Sequence, residues 1–220
     1  MAANSGVEYL FIPVDGGGQR PRILVLRADN LTCVAHDEVW TFGTNSVGWV
    51  TVAGNQLFTS EGTIDATHAV HQFTIDWSLL LQGGCVERWF LSSVVGRGLT
   101  RRDGATVDLR SMQGGDVSPD GELLCLTNGY SDPVGGDGGG LRVFHLATGV
   151  LQAESTTSTR YGSFVYEFHS GFPNYQEPEG LDFVDAIGKG MPGISGQLHV
   201  IMLQNESSYP DAVYLKHYEF

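Results

Sequence analysis

The sequence predicts an all-β fold, and within that class a β-propeller of about four blades. Three glycines, Gly48, Gly115 and Gly180, open similar stretches of the chain at nearly equal intervals. A repeat of roughly 65 residues that is built from short strands points to a propeller-like array, although it is longer than the ~40–50 residues of short-linker propeller blades. Thirty glycines and eight prolines, with hardly any run suited to a helix, also favour a β-protein that is rich in turns.

The 220 residues are enough for one domain with a sizeable core. We divide this domain into four units, at 7–46, 47–112, 113–176 and 177–220. A two-sheet sandwich is the alternative fold, although a sandwich has no need for so long a repeat. In chain order, the predicted strands cover 8–15, 22–27, 32–40, 48–54, 56–60, 71–76, 86–91, 115–118, 122–127, 141–146, 150–155, 180–184, 197–203 and 213–218.

The strands of each unit are named a to d from the centre of the ring outward. On this scheme the first unit begins at a strand b and the last unit stops at a strand c. Closed propellers complete their terminal blade, which removes free strand edges. We therefore expect either a fragment of a larger propeller, for example of five blades, or a homodimer. The dimer would cover the exposed edge of the incomplete first blade at 9–12.

The formal net charge of −13 results from 25 acidic against 12 basic residues. Such a field repels nucleic acid and anionic membranes and attracts cations. The predicted partner is thus a small molecule or a protein. The sequence has no apolar window close to the ~18 residues of a membrane helix, and its start lacks the features of a signal peptide. This pattern fits a cytoplasmic protein as well as a mature or truncated form of a secreted one.

The three cysteines, Cys33, Cys85 and Cys125, lack the spacing of a metal site. Because their number is odd, we expect no disulfide framework. Cys125 lies within an apolar strand, where we expect a small buried side chain.

Two stretches of the third unit carry a family resemblance. Ser-Pro-Asp-Gly at 118–121 and Val-Phe-His-Leu-Ala-Thr-Gly at 143–149 resemble the repeat of bacterial β-propeller proteins, although His145 replaces the usual acidic residue. The C-terminal third, at 177–180, 192–197 and 213–218, is similar to a group of bacterial propeller proteins. These resemblances imply a fold and transfer no chemistry.

The loops between strands b and c, and the linkers from d to the next a, lie at one face because successive strands are antiparallel. Most loop carboxylates belong to these segments, which predicts an acidic binding rim. The aromatic cluster at 161–175 either stacks on sugar rings or covers the gap between blades. The candidate ligand-binding residues are Gln113, Asp116, Glu61, Asp132 and Tyr175.

Glu179 and Glu177 are the candidate metal ligands, because they lie where an innermost strand begins. Hard cations such as Ca²⁺ prefer several oxygen ligands. The tripeptide at 178–180 also resembles the segment that supplies a calcium ligand in propeller lactonases and phytase-type phosphatases, which implies Ca²⁺ as a cofactor. The alternative role for both carboxylates is to cap backbone N–H groups.

Three functions follow from these features. The first is a ligand- or partner-binding propeller with one Ca²⁺ in the channel. The second is a Ca²⁺-dependent hydrolase of esters or phosphoesters, with His169 or Asp116 as the general base. The third is an interaction scaffold without metal.

Other motifs add little chemistry. The glycine-rich loop at 134–140 lacks the lysine of a phosphate-binding loop. His199 and His217 lie within strands and are expected to be packed or edge residues. His68 and His71 could approach a metal, although we expect hydrogen bonds there instead.

Overall fold

The computed structural model describes residues 2–4, 6–14, 18–39, 46–129, 137–156, 160–161, 176–184, 197–204 and 212–218. Of the residues in these ranges, 63% lie in strands and 3% in helix, which confirms the all-β prediction. Its four sheets are arranged in a ring, as in a four-bladed β-propeller. Within the described ranges, helix length and apolarity nowhere reach what is needed to cross a membrane.

The first sheet contains one more inner strand than the sequence predicts. Its strands, in their order across the sheet, are β1 (Ala2–Asn4), β2 (Val7–Val14), β3 (Arg22–Arg27), β4 (Cys33–Glu38) and β9 (Val86–Glu87). The expectation that this blade lacks strand a is wrong, because β1 pairs antiparallel with β2, with Ala2 opposite Tyr9. A three-residue Ala-Ala-Asn strand is too short to show alternation, so its pairing partner alone reveals it.

The second sheet corrects one predicted outer strand. From the centre outward it contains β5 (Val47–Ala53), β6 (Gln56–Glu61), β8 (Val70–Ile75) and β10 (Leu91–Arg97). The strand predicted at 86–91 is wrong. Its first half is β9, which pairs parallel with β4 in the first sheet, with Val86 opposite Ala35. The one-turn helix α1 (Trp77–Leu80), capped by Asp76, separates β8 from this returning segment.

A disulfide joins Cys33 to Cys85, so the expectation drawn from the odd cysteine count is wrong. Cys33 begins β4, and Cys85 immediately precedes β9. The pairing of these two strands therefore brings together cysteines that are 52 residues apart. Cys125 is free and buried, as predicted.

The third and fourth sheets follow the predicted order closely. The third contains β12 (Met112–Val117), β13 (Leu123–Asn128), β14 (Gly140–His145), β15 (Leu151–Thr156) and β16 (Arg160–Tyr161). The fourth contains β17 (Gln176–Phe183), β18 (Leu198–Gln204) and β19 (Ala212–Tyr218). A short ribbon of β7 (Thr63–Ile64) and β11 (Leu109–Arg110) connects the linker regions of the second and third blades.

Inner strands of neighbouring blades approach one another at glycines. A Cβ atom on Gly115 would lie 2.4 Å from the ring of Trp49, and one on Gly114 would lie 2.9 Å from the Cα of Gly180. Real Cβ contacts are not that short, so close packing of β5, β12 and β17 requires glycine at these positions.

A β-bulge near the start of each of these inner strands defines the true repeat. The register shifts at Gly48 in β5, at Gln113 in β12 and at Glu179 in β17. These three positions are also spaced almost equally along the chain. The alignment of Gly48 with Gly115 and Gly180 is thus wrong. Gly48 is a bulge residue, whereas Gly115 lies two residues after the bulge of β12 and Gly180 lies one residue after the bulge of β17. In β12 the glycines that the packing requires are Gly114 and Gly115, whereas the bulge positions of β12 and β17 are occupied by Gln113 and Glu179.

Apolar side chains fill the space between successive sheets, as expected for sheets packed face to face. Separate clusters join the first sheet to the second, the second to the third, and the third to the fourth. The face of the fourth sheet that points away from the third differs. Its residues Ile201, Val213 and Leu215 are 45%, 68% and 52% exposed.

Candidate functional site

A polar cavity of about 450 Å³ lies on the predicted acidic rim, between the second and third blades. Glu61 at the end of β6 contributes one wall, and its carboxylate lies 3.5 Å from Nε2 of His68. The other ring nitrogen of His68 lies 2.9 Å from the carboxylate of Asp65. Hydrogen bonds from the backbone of Thr67, followed by those from other neighbours, hold the pKa of Asp65 well below its usual range despite some desolvation. His68 thus has the hydrogen-bonded role that we expected.

Glu177 and Glu179 lie at the start of β17, where the bulge at Glu179 changes the strand register. Loss of hydration, a hydrogen bond with the Glu179 carboxyl group and the charge of Glu179 together raise the pKa of Glu177 to about 7. Two carboxyl groups this close resist double ionisation, so near neutral pH they retain a proton or attract a cation.

Asp116 lies toward the other end of the inner strands. One of its oxygens accepts hydrogen bonds from the Thr51 hydroxyl of the second blade and from the backbone N–H of Val117, at 2.8 Å in the latter case. Its second oxygen accepts the backbone N–H of Phe183 in the fourth blade, at 2.8 Å. Burial raises the pKa of Asp116 to about 6, and the nearby charge of Asp182 contributes. Asp116 therefore links the inner strands of three blades.

Asp116 is not brought together with the candidate metal ligands. It contacts Phe183, the last residue of β17, whereas Glu177 is the second residue of that strand. Because an extended strand rises about 3.3 Å per residue, these two positions are separated by roughly 20 Å. Gln113, by contrast, occupies in β12 the bulge position that Glu179 occupies in β17. Gln113 and Glu61 thus lie at the same end of the inner strands as Glu179.

Three predicted site residues fall outside the described ranges. These are the candidate base His169 and the candidate ligand-binding residues Asp132 and Tyr175. Their roles stay predictions.

A second polar cavity, of about 360 Å³, lies at the opposite end of the inner strands. Thr51, Asp116 and Asp182 line it, and they occupy equivalent positions, each the third residue after its bulge. Their spacing along the chain is therefore the same as that of the bulges. Sequence reasoning missed Thr51 and Asp182, although a repeat aligned on the bulge positions would have identified both.

Within the described ranges, no group of three or more His, Cys, Asp or Glu side chains is arranged to hold a metal ion. A cation bound by Glu177 and Glu179 would thus need further oxygen ligands from amide or backbone groups and from water.

No protein-family model matches the chain. A search of curated proteins likewise yields no significant match. Among solved structures, the chain is similar to hydrazine synthase from Kuenenia stuttgartiensis (TM-score 0.41, 12% identity, 94% of this chain and 42% of that one). It is also similar to a functionally unknown protein from Desulfotomaculum acetoxidans DSM 771, with a TM-score of 0.38 and 9% identity. This similarity covers 92% of this chain and 49% of that one. A third similar structure is provisionally assigned as a 6-phosphogluconolactonase from Bacteroides uniformis ATCC 8492, with a TM-score of 0.35 and 16% identity. This similarity covers 95% of this chain and 52% of that one.

These structural similarities are distant. The chain spans about half the length of the solved structures that it matches. Their TM-scores lie below 0.5, so they transfer no function to this protein.

Proposed function

We propose that this protein is a binding module that holds a divalent cation such as Ca²⁺ on its acidic rim and uses this rim to bind a cationic ligand or partner. The β-propeller fold is compatible with a binding scaffold. One observation carries the cation proposal: Glu177 and Glu179 lie two residues apart at the start of β17, where loss of hydration and the neighbouring Glu179 raise the pKa of Glu177 to about 7.

The chemistry of this carboxyl pair favours cation binding. The proton that Glu177 retains near neutral pH can be replaced by an ion that neutralises both carboxylates. Ca²⁺ takes six to eight oxygen ligands, of which two carboxylates supply at most four. The Gln113 amide, at the equivalent bulge of β12, backbone carbonyls and water would supply the others. Such an incomplete set of protein ligands predicts a weak site, with a Kd on the order of 0.1 to 1 mM.

The net charge of −13 supports a cationic ligand or partner and disfavours nucleic acid and anionic membranes. Long-range attraction accelerates association between opposite charges, and salt screens this attraction beyond about 10 Å at ~0.1 M. The association rate of a basic peptide should therefore fall steeply as the salt concentration rises.

A calcium titration monitored by thermal unfolding tests the cation site. Binding to the folded state alone raises stability by RT ln(1 + [L]/Kd), so a tenfold excess over Kd adds about 1.4 kcal/mol. Glu179→Gln should abolish the rise in Tm. The matched control Glu87→Gln replaces an exposed glutamate of β9 and should retain the rise. Because Ca²⁺ competes with the Glu177 proton, its affinity should increase from about pH 6 to about pH 8.

The absence of a saturable calcium effect in the unmodified protein would contradict the cation site. If Glu87→Gln lost the calcium-induced rise in Tm to the same extent as Glu179→Gln, the rise would be due to general charge screening and not to a specific site.

The calcium-dependent hydrolase receives less support than the binding module. A general base must lie within hydrogen-bond reach of the group that it deprotonates. Asp116 is roughly 20 Å along the strand from Glu177, and three donors already engage its oxygens. Turnover of a panel of lactones and phosphoesters that requires Ca²⁺ and is lost in Glu179→Gln would favour the hydrolase.

A further inference from the structure

An apolar cavity of about 370 Å³ lies on the outward face of the fourth sheet. Val184, Ile201 and Leu215 line it, and the last two lie opposite each other on β18 and β19. Ile201 and Leu215 leave about half of their surface in contact with water, which a ligand with an apolar body would cover. The volume is near the lower end of the range of about 300 to 1,000 Å³ that small-molecule sites occupy.

Two of the described residues that line this cavity have polar side chains, Asp182 and His199. They lie opposite each other on β17 and β18, and His217 of β19 continues the row. The Nε2 atom of His199 lies 3.0 Å from the carbonyl oxygen of Val184, and its Nδ1 atom lies 2.5 Å from Nδ1 of His217. Because both ring nitrogens are engaged within the protein, polar recognition of a ligand falls to Asp182.

The Asp182 carboxylate is exposed, and none of the ion pairs between described residues includes it. Its equivalents in β5 and β12, Thr51 and Asp116, are hydrogen-bonded to each other across two blades. Within the described ranges, Asp182 makes no such bond to a neighbouring blade. An ionised carboxylate only accepts hydrogen bonds, so its complement in a ligand is a cationic donor.

Asp182 also lines the polar cavity of about 360 Å³ that contains Asp116. It therefore lies where an apolar cavity and an acidic one adjoin. The charge of Asp182 acts on Asp116, so the two carboxyl groups lie close enough to add to one negative potential. Together with the net charge of −13, this potential attracts cations and repels anions.

We propose that the cavity binds a small amphiphilic cation, that is, an organic ammonium ion with an apolar aliphatic or aromatic body. The ammonium group donates hydrogen bonds to the Asp182 carboxylate, and the apolar body lies against Ile201 and Leu215. Asp182 is near the end of β17, whereas Glu177 and Glu179 lie near its start. This site is therefore separate from the carboxyl pair, and it does not depend on the function proposed for that pair.

Two probes of nearly the same shape provide the first test, 2-phenylethylammonium and the neutral 2-phenylethanol. The methyl resonances of Ile201 and Leu215 in the unmodified protein should shift saturably with the amine, with a Kd on the order of 1 mM. The alcohol should bind roughly three- to tenfold more weakly, because it lacks the charge that pairs with Asp182. Methylammonium, which has the charge without the apolar body, should not saturate these shifts.

Three results would overturn the proposal. The first is equal affinity for the amine and the alcohol, and the second is the absence of a saturable shift up to about 20 mM amine. The third is a shift of the Ile201 and Leu215 resonances with protein concentration alone, since a second copy of the chain would then cover this face.

Variants provide the second test. Asp182→Asn should weaken binding of the amine roughly three- to tenfold and leave binding of the alcohol unchanged. The matched control Asp103→Asn changes an exposed aspartate between β10 and β11 and should bind both probes as the unmodified protein does. Leu215→Ala should weaken binding of both probes, because it removes apolar surface from the wall.

An equal loss of amine binding in Asp103→Asn and Asp182→Asn would contradict the site, because the loss would then reflect net charge alone. Glu179→Gln should retain amine binding, and its loss there would place the amine on the acidic rim and overturn the proposal. The comparison of the amine with the alcohol needs no variant, so it decides the question even if a substitution impairs folding.

Discussion

The substitution Asp116→Asn should become less harmful to stability as the pH rises from about 4 to about 7. Burial raises the pKa of Asp116 to about 6, against an ordinary value of 3.8. The folded state thus holds the Asp116 proton more tightly than the unfolded state does. The resulting stability is fully present below the unfolded pKa and is lost as the pH rises through the folded one. The difference of 6 − 3.8 corresponds to roughly 3 kcal/mol.

The asparagine variant carries a different cost that does not depend on pH. The side-chain oxygen of the asparagine can still accept hydrogen bonds from the Thr51 hydroxyl and the Val117 backbone N–H. Its NH₂ group then faces the backbone N–H of Phe183, so that two donors oppose each other. A donor left without an acceptor in a buried position costs about 1 to 3 kcal/mol. The variant should therefore be the less stable protein near pH 4. Near pH 7 it should match or exceed the unmodified protein, which by then has lost the Asp116 contribution.

Urea unfolding of both proteins between about pH 4 and pH 7.5, with the m-value monitored, measures this difference. Glu177 and Asp37 also have raised pKa values, of about 7 and about 6, but both titrate in the two proteins alike and cancel in the comparison. As a second variant, Thr51→Val removes a donor to the carboxylate and should shift the loss of stability to higher pH. A stability difference that stays constant with pH, or that grows toward pH 7, would refute the reasoning.

Two further predictions concern the ends of the ring. Replacing Cys33 and Cys85 together by serine should lower the free energy of unfolding by about 2 to 4 kcal/mol, because the disulfide closes a long loop. A urea unfolding midpoint that stays unchanged under otherwise equal conditions would contradict this prediction. The homodimer through an incomplete blade edge stays a prediction, although the edge at 9–12 on which it was placed is covered by β1. Light scattering over a range of concentrations tests the dimer, and a monomer that melts well above ~65 °C would argue against it.

Much of the fold is predictable because strands and their repetition are local properties of the chain. Largely apolar runs between turns mark β13, β14 and β18 close to their observed bounds. The regular recurrence of such strands along the chain indicates a ring of sheets for the same reason. The prediction failed where a strand is very short, as in β1, or where a segment returns to an earlier sheet, as in β9.

The site is much less predictable, because its contacts depend on register between strands that are far apart in sequence. The sequence by itself determined the acidic charge, the strand order and the position of Glu177 and Glu179 at the start of an inner strand. Only the tertiary structure decided that Asp116 links three blades and that Asp182, His199 and His217 lie in one row. Shifting a strand by one residue moves each side chain to the other face of its sheet. The bulges at Gly48, Gln113 and Glu179 impose such shifts, and because three different residue types occupy these positions, no shared residue marks them in the sequence.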